Sequence, residues 1–122
     1  MPRLLFGLLL LVHGAIHLAW FAPAPDDPKW PFRWRSPWLP KLSEDTLRNL
    51  GTAAIALMFL GYAVAALGVW GVGFLAGIWV PAAILASALS LVVIAVLWHP
   101  WFFAGPTVDV VIAAAVLLHW VA

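Results

Sequence analysis

Four apolar runs, residues 4–21, 47–70, 74–98 and 107–120, take up most of this chain and decide which solvent it can fold in. A helix needs about 20 apolar residues to cross bilayer hydrocarbon, so the first three runs suffice and the fourth is short for a full crossing. Hydrophobic residues make up 66% of the chain and charged residues 9%, where a soluble domain has roughly 45–50% and 25%. So little polar surface cannot cover a core in water. The expected fold is therefore a single all-α domain over residues 1–122, an integral membrane four-helix up-down-up-down bundle. Its expected partner is the lipid bilayer, with a second copy or a partner membrane subunit beside it. The net charge of +1 provides no clustered basic field for nucleic acid. The absence of cysteine excludes disulfides, thiolate metal sites and dithiol redox chemistry.

The interruptions between the runs define the helix ends. Met1-Pro2-Arg3, the first run and Ala22-Pro23-Ala24 have the outline of a secretion signal. The run is longer than a usual signal core and holds two histidines, so it reads as the first span. Residues 23–41 carry Pro23, Pro25, Pro28, Pro31, Pro37 and Pro40, which stop helix and strand alike. In the same stretch Trp30, Phe32, Trp34 and Trp38 alternate with Lys29, Arg33, Arg35 and Lys41. Rings and cations in that mixture suit the headgroup layer, with Trp30, Arg33, Trp34, Arg35 and Trp38 as the expected lipid-interface residues. Ser43 is a candidate cap for the second helix, and Glu44 and Asp45 follow where the helix dipole favours negative charge. Gly71-Val72-Gly73 predicts a short turn between antiparallel second and third helices. Pro81 marks either a kink or the first turn of the third. Lys29, Arg33, Arg35, Lys41 and Arg48 lie on one side and Arg3 on the other. The positive-inside rule then places the connection 23–46 in the cytoplasm and both termini outside.

Ionisable residues at membrane depth mark where to look for function, because each is costly unless it faces a bundle interior or cavity. His13 and His17 stand four apart on one helical face, with Gly14 beside them permitting close backbone approach. Taking Trp20 and Trp98 as boundary markers, His17 lies roughly 5 Å inside and His13 roughly 10 Å, with His99 at the boundary. Asp109, the only acid within a span, lies about 6 Å beyond Gly105 on the same side. His17, His99 and Asp109 are therefore expected in one layer, with His13 one turn deeper and His119 near the opposite face.

That set admits several chemistries. It could hold a transition metal through His17, His99 and Asp109, or haem through opposed histidines. It could also relay protons or grip a polar headgroup. The plainer alternative has each histidine bonded to a backbone carbonyl or serine, with Asp109 capping the first turn of its helix. Ser87 and Ser90 are read only as intrahelical or neighbour hydrogen bonds. No phosphate-binding glycine loop and no nucleophile–base spacing is present, so an enzyme is not expected. The leading expectation is a non-enzymatic module that binds a small ligand, lipid or partner subunit through His13, His17, His99 and Asp109. The alternatives are a haem- or metal-carrying redox module and a component of a small-molecule transporter.

The run Leu11-Val12-His13-Gly14-Ala15-Ile16-His17-Leu18, after Arg3-Leu4-Leu5-Phe6-Gly7, resembles the opening of small bacterial four-helix membrane proteins with an LxHGxIHL signature. Trp98 with the following turn and Val108 to Leu118 resembles their last hairpin. The opening is also loosely similar to DoxX-like membrane proteins, which usually carry a lysine near the His-Gly pair where His17 stands here. The resemblance implies the four-helix membrane fold and carries no activity with it. The Pro- and Trp-rich stretch 23–40 departs from the short connection expected in that group.

Overall fold

The computed structural model describes residues 2–121, and every regular element among them is helical. Four α-helices follow in order: α1 (Arg3–Ile16), α2 (Glu44–Val69), α3 (Trp79–Val96) and α4 (Ala104–Leu117). Single 3₁₀ turns occupy His17–Phe21, Gly73–Gly77 and Pro100–Phe103. Four helical stretches, Arg3–Phe21, Glu44–Val69, Trp79–Val96 and Pro100–Leu117, are long and apolar enough to cross a membrane. α2 packs against both α1 and α3, and α3 against α4, whereas α1 and α4 barely meet. This neighbour order is consistent with an up-down-up-down path.

Local chemistry accounts for the helix ends. Ser43 caps α2 by accepting from the Thr46 amide at 3.1 Å, and Arg48 pairs with Glu44 and Asp45 across the first turn at 3.0 and 3.4 Å. The α2–α3 turn uses positive φ at Gly71 (86°) and Gly73 (51°), values that a side chain disfavours. Pro81 is the third residue of α3, where its missing N–H would have had no partner in the helix, so it marks the first turn. Pro106 holds the same place in α4. The fourth span was expected at 107–120; the helical stretch long and apolar enough to cross covers Pro100–Leu117, because a 3₁₀ turn leads directly into α4 and adds length.

Phe6, Leu10, Ile55, Met58, Val69 and Ile112 are fully buried, while Leu4, Leu57, Leu85, Val92 and Leu117 point outward. An outward hydrocarbon face of this extent suits acyl chains as solvent. The connection 22–43 has no regular element, yet it folds back onto one end of the bundle. The indole of Trp20 donates to the Arg33 carbonyl at 3.2 Å, and Phe32 packs between Trp20 and Phe102. Trp34 is buried on Gly51, where any Cβ would collide with its ring. Trp38 remains 68% exposed and donates to the Ala95 carbonyl. Trp30 is half-buried.

Candidate functional site

Asp109 is the centre of the polar interior. It is the sixth residue of α4, past the first turn, and is completely buried. Its carboxyl is thus directed at side chains on three other helical elements, and the first-turn cap expected of it does not form. His13 Nε2 lies 2.7 Å from Asp109 Oδ1, and Tyr62 Oη donates to the same oxygen at 2.7 Å. Ser90 Oγ lies 2.8 Å from Asp109 Oδ2 and 2.9 Å from His17 Nε2. His17 Nδ1 lies 3.0 Å from the His13 carbonyl, and Tyr62 Oη lies 3.1 Å from Ser87 Oγ. α1 and the turn after it, α2, α3 and α4 are therefore joined through one cluster of six side chains.

The helices allow this convergence for specific reasons. His13 and His17 share a face because they are four apart, and their rings meet edge to face at 5.3 Å. Gly14 lets Tyr62 approach α1, since a Cβ there would lie 3.1 Å from the Tyr62 ring. Ser87 and Ser90, three apart on α3, present both hydroxyls to the same interior.

Proton counting narrows the state of this cluster to two arrangements. A carbonyl only accepts, so His17 Nδ1 carries a proton and donates to the His13 carbonyl. Two hydrogen bonds then link Asp109 Oδ2, Ser90 Oγ and His17 Nε2, but the serine hydroxyl has a single hydrogen. The second hydrogen belongs either to His17 Nε2, giving imidazolium and carboxylate, or to Asp109 Oδ2, giving neutral imidazole and carboxylic acid. Both arrangements are neutral overall, and moving two protons through Ser90 interconverts them. The two arrangements differ only in which of Asp109 and His17 holds the hydrogen that Ser90 relays between them.

His99, expected in the same layer, does not join. Its Nδ1 accepts from the Trp101 amide at 3.1 Å, which caps the 3₁₀ turn Pro100–Phe103 at the bundle end. His119 lies beyond α4 with φ of 57°, away from the cluster. Among the described residues no group of three or more His, Asp or Glu is disposed to hold a metal ion, so the set His17, His99 and Asp109 is not assembled. Sequence reasoning passed over Tyr62, Ser87 and Ser90 as site residues. The available signals were that Tyr62 is the only tyrosine of the chain and sits mid-span, and that the two serines share a helical face.

A cleft of about 200 Å³ opens where α1 and α4 fail to close. Ile16, Trp20, Phe32, Phe102 and Val108 form its apolar walls, and His13 and His17 lie at its inner side. Among the described residues His13 Nδ1 has no hydrogen-bond partner. With Nε2–H donated to Asp109, Nδ1 of a neutral ring is an acceptor.

Comparison with known proteins places no neighbour beside this arrangement: no family model, curated protein or solved structure matches the chain.

Proposed function

We propose that this protein is a non-enzymatic membrane binding module that admits a small amphiphile sideways into the α1–α4 cleft. The ligand's apolar body lies against Trp20, Phe102 and Val108, and its hydroxyl or amide hydrogen is donated to His13. The observation that carries this reading is the meeting of an apolar cleft with a histidine whose outward nitrogen is unfilled. At about 200 Å³ the cleft is smaller than the roughly 300–1,000 Å³ typical of drug-sized ligands, so it suits a small molecule or the end of a longer one. The hydrogen-bonded cluster behind His13 keeps that ring oriented. The excess of basic residues supports a cytoplasmic side for the connection 23–46, with both termini outside. The resemblance to LxHGxIHL proteins agrees with the bundle and adds no ligand.

A photoactivatable diazirine alkanol, added to protein reconstituted in lipid, tests this. Labelling should concentrate on Trp20, Phe102 and Val108, and Val108→Trp, which fills the cleft, should abolish it. Labelling spread evenly over the outward residues Leu57 and Leu85, unchanged by Val108→Trp, would overturn the proposal.

A further inference from the structure

A second cavity, of about 350 Å³, lies at the same end of the bundle on the side of α2. It is bordered by the exit of the first span, by Arg33–Arg35 and by the first turns of α2. Three arginines, Arg33, Arg35 and Arg48, line it with Glu44 as the one acid among the described lining residues. The Arg48 charge is answered by Glu44 and Asp45. That of Arg33 is not, because its Nη2 donates to the uncharged carbonyls of Pro25 and Asp27 at 3.2 and 2.7 Å. Arg35 is exposed, and its side chain makes no ion pair or hydrogen bond among the described residues. The site therefore carries an unanswered positive charge.

Its remaining walls are apolar, with Trp20, Phe21 and Trp34 contributing ring surface. Trp34 is held in place by Gly51 and Trp20 by the Arg33 carbonyl, so the walls are rigid before any ligand arrives. Arg33 and Arg35 also border a neighbouring hollow of about 140 Å³ that contains Trp30. The Trp30 indole N–H is buried without an acceptor among the described residues. An unfilled donor beside two unanswered guanidinium groups calls for an oxygen-rich anion.

Position selects which anion. The cavity sits where the first candidate span ends and the second begins, a position that suits arginines to lipid phosphates and rings to the glycerol and upper acyl level. We infer that this cavity is a binding site for the phosphodiester of an anionic phospholipid, gripped by Arg33 and Arg35 with its glycerol end on Trp20 and Trp34. A headgroup that brings its own cation, such as choline, meets the excess positive charge and is disfavoured. The site shares Trp20 and Phe32 with the His13 cleft, and its arginines line only the former.

Native mass spectrometry of the detergent-solubilised full chain tests the assignment. Phosphatidylglycerol and phosphatidylcholine with the same acyl chains would be titrated in parallel, with soluble glycerol phosphate as a competitor. One equivalent of phosphatidylglycerol should be retained in preference to phosphatidylcholine. Arg33→Gln and Arg35→Gln should each weaken retention about tenfold, as the loss of one charge-assisted contact predicts. Lys41→Gln, a charge change on the same connection outside the cavity, should leave retention unchanged, and the exposure of Arg35 keeps that variant folded. Equal retention of both lipids, an equal effect of Lys41→Gln, or no effect of Arg35→Gln would overturn the site. Displacement by glycerol phosphate at the lipid's own concentration would assign it to a soluble phosphate ester and overturn the lipid.

Discussion

Replacing Asp109 separates the two proton arrangements of the buried cluster. In Asp109→Asn, Oδ1 still accepts from His13 and Tyr62, while Nδ2 donates to Ser90 Oγ, whose hydroxyl then donates to His17 Nε2. That pattern reproduces the carboxylic-acid form bond for bond, so its cost should be below about 1 kcal/mol. Asp109→Leu removes every acceptor. Tyr62 keeps Ser87 and Ser90 keeps His17, but His13 Nε2 loses its only partner. One orphaned donor at about 1–3 kcal/mol, plus two weakened hydroxyl pairs at about 0.6 kcal/mol each, gives a loss of about 2–4 kcal/mol. The charged arrangement predicts no such gap. There, Asn and Leu alike would strand an imidazolium in hydrocarbon, at about 3–5 kcal/mol, and the Asn variant would be nearly as costly as Leu. Equilibrium unfolding of the two variants in mixed micelles measures the difference. An infrared carboxylic-acid carbonyl band, present in the parent and lost in Asp109→Asn, is an independent readout. Asn as costly as Leu, with no such band, would refute the carboxylic-acid arrangement.

Ser90→Ala should destabilise by about 1–2 kcal/mol and more than Ser87→Ala, because Ser90 joins two partners and Ser87 one; the same unfolding assay ranks them. Gly51→Leu should expel Trp34 from its seat at about 1–3 kcal/mol, read as a red shift and greater quenching of tryptophan emission. His99→Gln should leave diazirine labelling of the cleft unchanged, since His99 caps a turn at the bundle end; loss of labelling would return it to the site. Cysteines at Lys41 and Pro2, both exposed, should be respectively shielded and reactive to an impermeant maleimide in intact cells, and the opposite pattern would invert the orientation.

Much of this molecule is written in its sequence because hydrocarbon permits so few backbone solutions. Without water to satisfy amides, four apolar runs can only be helices, and Ser43, Pro81, Gly71 and Gly73 fix where they begin and turn. The same cost argument singled out His13, His17 and Asp109 before any fold was known. Tertiary structure alone decided which of them touch. Depth along a helix follows from counting residues, but rotation about its axis and the lead-in to α4 do not. The 3₁₀ turn Pro100–Phe103 carries Asp109 down to the level of His13, and packing turns it toward Tyr62 and Ser90 while His99 remains at the end. Serine and tyrosine hydroxyls signal weakly in sequence because they are tolerated on many faces of a membrane helix. Only the packed bundle shows that Ser90 joins Asp109 to His17, leaving a single hydroxyl hydrogen for two hydrogen bonds.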